Sequence, residues 1–294
     1  MRKKSFLSEF KIQKAERVQK KIKALLSGPT NAGKTMSSLL IAKGLTNNGK
    51  VLVIDTENAR SSLHVGERSL SGWVWDAVYI TPEKATSENM ISAIQEAESL
   101  GFDAIILDSI THEWEYIKEL QVQLGGRYTD WREPMALHNK FVRAILSANI
   151  HVITTMRSKM DYVQEENDRG KKVVKKLGFA PQGQQNFPFE VDFHFIVDEN
   201  HLARMDKTAQ GMFTSPPIFH ITEETGVELR KFSQEGEPAD TREKRKYISR
   251  IREIVSDWEG APDVPSEEVL LDMSLDELTQ LGKDLASQKS ANKK

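Results

Sequence analysis

The sequence predicts an α/β fold, a mostly parallel sheet covered by helices, with a small helical appendage at the C-terminus. Three observations predict it. Short runs that are apolar on both faces, such as 51–54 and 104–107, alternate with segments of helical spacing. Strands buried on both faces need that continuous apolar character, whereas half-exposed strands alternate. A glycine-bearing loop lies between the first such run and the first helical segment, and beyond residue 240 the pattern becomes purely helical, broken by Gly260 and Pro265.

The elements follow in order. Residues 8–20 are charged with scattered apolar positions and predict a surface helix in a basic N-terminal segment, 1–20. The core runs from 21 to 232. Within it, 22–26 is a short strand, 34–45 a helix, 51–54 a buried strand, 73–80 a third strand and 86–100 a helix. A further buried strand, 104–107, precedes helices at 113–124 and 132–146 and the strand 150–156. Residues 157–188 show no sustained period and read as a long flexible surface loop; such loops inside compact domains are commonly functional. Strands 191–197 and 201–207 flank Asp198 to His201 as a hairpin, with short strands expected on to Leu229. After a linker, 233–240, comes a helical region, 241–287, in which Tyr247, Ile251, Ile254 and Trp258 share a helix face. Ser274 and Glu277 form a capping box there, and a polar tail, 288–294, ends the chain.

Bulk properties narrow the function classes. With 294 residues, 38% hydrophobic and 29% charged, the chain is a folded protein rather than a disordered one. A net charge of −2 provides no global attraction to nucleic acid or anionic membrane, so such a partner needs a local patch. The absence of cysteine excludes disulfides, thiolate nucleophiles and sulfur-ligated zinc. The basic start meets Glu9 and Lys11 without an apolar core, so no export signal is predicted. No apolar run approaches the roughly 20 residues that cross a bilayer. The expectation is a soluble, cytoplasmic protein without a membrane partner.

Chemistry enters at Gly28, Pro29, Thr30, Asn31, Ala32, Gly33, Lys34 and Thr35, a G-x4-G-K-T pattern between strand and helix, with Met36 continuing into that helix. Glycines at the loop ends let successive N–H groups face phosphates, and the helix adds its positive N-terminal end. The pattern implies ATP with Mg²⁺, Lys34 reaching the β- and γ-phosphates and Thr35 holding the metal. A dinucleotide fingerprint is excluded, because Thr30 stands where its second glycine belongs. Asp108 ends the apolar run 104–107 and is the second metal residue. Ser109 follows it in place of a glutamate, so Glu57, at the end of the strand 51–54 and its Asp55-Thr56 extension, is the candidate base for water, with Glu113 in reserve. A solvated loop glutamate is the alternative reading of Glu57. His112, His138, Trp73, Trp75 and Trp131 read as packing or hydrogen-bonded residues.

The segments Val53-Ile54-Asp55-Thr56-Glu57-Asn58-Ala59 and Ile105-Ile106-Leu107-Asp108-Ser109-Ile110 resemble strand ends of RecA-type recombinases. The likeness extends, over about residues 20–215, to phage-encoded RecA-like ATPases through 108–115, Trp131-Arg132-Glu133, Leu137-His138-Asn139 and 155–163. It implies a RecA-like P-loop core, a homo-oligomer as ring or filament, and work on single-stranded DNA in phage recombination or replication, with a single-strand-binding or replication protein as a further partner. It implies a γ-phosphate sensor among Thr154, Thr155 and Arg157. It also implies that the flexible loop contacts DNA through Arg157, Lys159, Arg169, Lys171, Lys172, Lys175 and Lys176, with Tyr162 and Phe179 able to stack on bases. On charge alone this is equally a solvated loop, since Asp161, Glu165, Glu166 and Asp168 are interleaved. The basic run 11–23 is a second candidate patch or the outer face of a helix. Arg204 and Lys207 are implied as cations acting on a neighbour's nucleotide, or are ordinary strand-end charges. The competing function is an ATP-controlled protein-interaction switch or loader whose C-terminal helices grip a protein; a small-molecule kinase is a third class without a visible acceptor pocket.

Overall fold

In the computed structural model, residues 15–166, 172–256, 258 and 260–291 are described. They form two compact units, one within residues 21–232 and one within residues 15–20 and 233–291.

In the larger unit the apolar runs become strands for the reason their composition gives: every residue of β1 (Lys23–Gly28), β2 (Val51–Asp55) and β4 (Ala104–Asp108) is buried. Helix α1 (Lys34–Thr46) follows β1. β3 (Asp76–Tyr79) and helix α2 (Ser87–Ser99) precede β4; Thr86 caps α2 by accepting from the Asn89 N–H at 3.2 Å. Then come α3 (Thr111–Gln123), α4 (Arg132–Ser147), β5 (His151–Glu166), β6 (Lys172–Pro181), a short α5 (Phe187–Glu190), β7 (Phe193–Val197), β8 (Leu202–Lys207), β9 (Phe219–His220) and α6 (Glu223–Gln234).

The sheet order is β3-β2-β4-β5-β1-β7-β8-β9, with β6 paired to β5 off this path. From β3 to β7 the pairings are parallel; β8 and β9 extend the edge antiparallel. One face packs Leu26, Ile106 and Phe195 with Leu39 and Ile41 of α1; the other packs Leu25, Ile105 and Val152 with Met90, Ile94 and Phe141. Parallel register brings Gly28 beside Arg157 and Asp55 beside Asp108, so the carboxyl ends of β1, β2, β4 and β5 meet at one place. Open α/β sheets gather ligand groups at such edges.

Three expectations need correction. Residues 157–166 and 172–181 are not a loop: β5 continues beyond the sheet and pairs antiparallel with β6 from Ser158–Pro181 to Glu166–Lys172 as a two-stranded ribbon, while 167–171 lie outside the described residues. Residues 223–229 are helix rather than strand. Gly226 masks the helical signal, yet it lets α6 lie against α1, where a Cβ would come within 2.2 Å of the Ile41 carbonyl oxygen. Of the N-terminal surface helix, residues 8–14 lie outside the described residues, and residues 15–20 are not helical, with Val18 bridged to Glu237.

The smaller unit holds α7 (Ala239–Ser256), α8 (Glu267–Asp272) and α9 (Leu275–Ala291) around Ile248, Ile251, Leu270, Leu278 and Leu285. The Ser274–Glu277 capping box forms, with the Glu277 N–H donating to Ser274 Oγ at 3.2 Å and the Ser274 N–H to Glu277 Oε2 at 2.7 Å. Among the described residues no helix is long and apolar enough to cross a membrane.

His151 carries a testable consequence of this sheet. Its Nδ1 accepts the Ile22 N–H at 2.9 Å, and burial, with Lys21 and Lys23 nearby, lowers its pKa to about 3. Between that value and the ordinary histidine range, the unfolded chain takes up a proton that the folded chain refuses. Its stabilisation is therefore complete above about pH 6.5 and declines as pH falls, by at most about 1.4 kcal/mol per pH unit. In denaturant melts at about pH 7.5 and about pH 5, His151→Gln, which keeps an acceptor, is expected to lose less stability on acidification than the wild type. Equal losses would remove His151 as the source.

Candidate functional site

The loop between β1 and α1 curls because its two end glycines permit it. Gly33 takes φ 83, a left-handed conformation that costs a side-chain-bearing residue about 1–2 kcal/mol. Gly28 lies against β7 so closely that a Cβ would be 2.2 Å from the Val197 carbonyl oxygen. Lys34 is buried, and its ammonium donates to the carbonyl oxygens of Gly28 at 3.1 Å and Pro29 at 2.8 Å. Burial pushes the Lys34 pKa below the ordinary lysine value, while Asp108 and Glu57 pull it back up.

Asp108 is 2% exposed at the end of β4. The Thr35 hydroxyl donates to its Oδ2 at 2.7 Å, and the Thr155 hydroxyl to its Oδ1. Burial raises the Asp108 pKa against the opposing effect of these two hydrogen bonds. A hydroxyl and a buried carboxylate offer hard oxygen donors, which suit Mg²⁺; that ion takes one or two carboxylates and completes its shell with phosphate and water. The described residues contain no cluster of three or more His, Cys, Asp and Glu that could hold a metal, so a dedicated transition-metal centre has no support among them.

Glu57 lies just past β2, its N–H donating to Asp55 Oδ1 at 2.8 Å. Asp55 is wholly buried and also accepts from the Ser61 N–H and hydroxyl at 2.8 and 2.6 Å, which holds the turn after β2. Arg157 forks onto Glu57, Nε to Oε1 at 2.8 Å and Nη2 to Oε2 at 2.6 Å, and Ser109 donates to Oε1 at 3.1 Å. Burial works to raise the Glu57 pKa; the Arg157 hydrogen bond and charge overturn that and hold it below the ordinary value. Behind it, Thr56 Oγ1 and His112 Nδ1 stand 2.6 Å apart, and burial followed by the Arg157 charge lowers the His112 pKa.

Thr30, Asn31, Gly33, Lys34 and Thr35 of the loop line one cavity of about 490 Å³ with Asp108, Glu57 and Arg157; Gly28, Pro29 and Ala32 lie outside its lining. The cavity continues over α1 to Leu40, flanked by Arg60, Leu63 and His64 after β2 and by His201, His220 and Ile221 from the β7–β9 edge. Sequence reading missed this second half. Arg60, three positions after Glu57, carried a faint local signal, whereas His201 and His220 reach the cavity only through strand order.

The other expected site residues divide. Arg157 belongs to this cavity and not to the outer ribbon, because Glu57 holds it there. Glu113 lies outside the cavity lining: it is wholly buried, accepts from the Ser87 hydroxyl at 2.6 Å and lies 2.9 Å from His138 Nδ1. Thr154 donates to the Ala24 carbonyl at 3.1 Å within the sheet. Lys159 is exposed on β5, and Lys172, Lys175 and Lys176 lie on β6 opposite Glu166, Val163 and Tyr162. Arg169 and Lys171 lie outside the described residues, as do the side chains of Lys172, Lys175, Lys176, Tyr162 and Phe179. Arg204 is exposed on β8, and Lys207 donates to the Phe189 carbonyl.

The parallel sheet, the loop after its β1 strand and the carboxylate at the end of β4 define a P-loop NTPase core. The chain belongs to the AAA_24 family, described as AAA domain, whose family model matches residues 20–215. By class it is therefore an AAA-type P-loop ATPase, a nucleotide-binding protein. No curated protein matches the sequence.

Proposed function

We propose that this chain is a RecA-like, Mg²⁺-dependent ATPase that acts on single-stranded DNA in phage recombination or replication, as a homo-oligomer. The observation that carries the reading is the Arg157–Glu57 fork. Arg157 lies at the root of the ribbon and its partner is the carboxylate best placed to orient water, so a change at the nucleotide site pulls on β5 directly. The strand order from β3 to β1 and the ribbon that continues β5 favour RecA-like organisation.

In this reading Lys34 binds the β- and γ-phosphates, Thr35 and Asp108 hold Mg²⁺, and the Glu57 carboxylate accepts a proton from the attacking water. The metal, when bound, neutralises phosphate charge and offsets the burial of Asp108. Thr155 keeps Asp108 oriented. Arg204 is the better trans-acting candidate, since Lys207 is engaged by Phe189. Lys159, Arg169, Lys171, Lys172, Lys175 and Lys176 would meet the DNA backbone.

Titration of labelled single strands with the protein and a non-hydrolysable ATP analogue tests the DNA half. Affinity is expected to fall with salt, and replacing Lys171, Lys172, Lys175 and Lys176 by alanine to lessen that slope by about 0.7 for each phosphate no longer neutralised. ATP-bound protein that retains no single strands at low salt would sink this half. The separate apolar core of the C-terminal unit favours a second reading, an ATP-controlled protein-interaction switch. In that case partner binding survives the lysine substitutions and is lost on truncation after Ser233.

A further inference from the structure

The β7–β8 hairpin touches the nucleotide loop at both of its end glycines, which the loop motif itself does not demand. Val197 meets Gly28, and at Gly33 a Cβ would stand 3.1 Å from Nδ1 of His201, so the imidazole packs on the loop's second glycine. The turn aims it there. Asp198 Oδ1 accepts from the N–H groups of Asn200 and Leu202 at 2.9 Å each, and the Asp198 carbonyl accepts from the His201 N–H at 3.1 Å. His201 itself adopts φ 63, a conformation for which histidine has no intrinsic preference over glycine. Its ring is exposed, lines the cavity that holds Lys34, and makes no hydrogen bond to any described residue.

The base of the hairpin is fastened as well. Asp206 on β8 is an acceptor, so His194 Nδ1 donates to it at 2.9 Å, which leaves Nε2 to accept from the Ser27 hydroxyl at 2.7 Å. Ser27 immediately precedes Gly28. Hairpin and loop are thus joined at root and tip.

We propose that His201 binds the phosphates of the bound nucleotide through an imidazole N–H, making the β7–β8 hairpin a second arm of the nucleotide site. The inference rests on the nucleotide-binding reading of the loop. The charged and titratable groups that share the cavity are Lys34, Arg60 and Arg157, with Glu57 and Asp108 opposed to them, and the imidazoles of His64 and His220. A phosphate beside this cationic set gains from a further N–H donor.

The test is titration of the full chain with fluorescent Mg-ATP at one fixed pH and salt concentration. His201→Ala is expected to weaken binding about tenfold. His201→Asn, which suits the left-handed turn and keeps a donor, should recover part of the loss. The melting temperature without nucleotide should not move. Wild-type affinity for His201→Ala overturns the proposal, as does a loss that tracks a lowered melting temperature and is not rescued by asparagine. If the wild type binds, Lys34→Ala does not, and His201→Ala matches the wild type, only this inference falls. A wild type that ignores Mg-ATP removes the loop reading with it.

Discussion

Replacing Lys34 with alanine is expected to abolish productive nucleotide binding while leaving the protein folded. The ammonium is buried and donates to the Gly28 and Pro29 carbonyl oxygens, so it braces the loop. Burial holds its pKa down against the pull of Asp108 and Glu57. Truncating such a charge costs binding about 2–5 kcal/mol, at least about 30-fold in affinity. Isothermal titration with Mg-ATP reads the first effect, and a thermal melt without nucleotide reads the second. Undiminished affinity in the alanine variant would mean that the loop does not hold a triphosphate.

Glu57→Gln should separate binding from turnover. The amide keeps the shape of the carboxylate and can still accept from Arg157 or Ser109, yet it cannot take a proton from water. Affinity is expected to stay within about threefold while kcat falls by about 10²–10⁴. Arg157 supplies a second readout with a definite sign. It holds the Glu57 pKa down, and a base works only when deprotonated, so Arg157→Gln should move the acid limb of the rate profile to higher pH. A rate profile that stays in place, or normal turnover in Glu57→Gln, would assign the water to another group. Glu113 is a poor substitute, because Ser87 and His138 already occupy its carboxylate away from the cavity lining.

Several elements were legible because their signals are local. Strands buried on both faces must be apolar throughout, and β1, β2 and β4 carry that composition in consecutive residues. The capping box at Ser274 and Glu277 spans a single turn, so spacing suffices. The ribbon was illegible for the opposite reason. Residues 157–181 lack an alternating apolar face, since a two-stranded ribbon beyond the sheet is built by backbone pairing rather than by burial of one side. Helix α6 was obscured by Gly226, whose value lies in the approach to α1 and not in helix propensity.

By itself, the sequence determined the nucleotide loop, the strand-end carboxylates and the parallel core, because each depends on contiguous residues whose chemistry and periodicity can be read in line. Tertiary structure alone decided that Arg157 grips Glu57 from a strand 100 residues away, that β5 runs on into a ribbon, and that His201 rests on Gly33. These contacts follow from the order β2-β4-β5-β1-β7 of the strands, and strand order is set by how helices and sheet pack together rather than by any one segment.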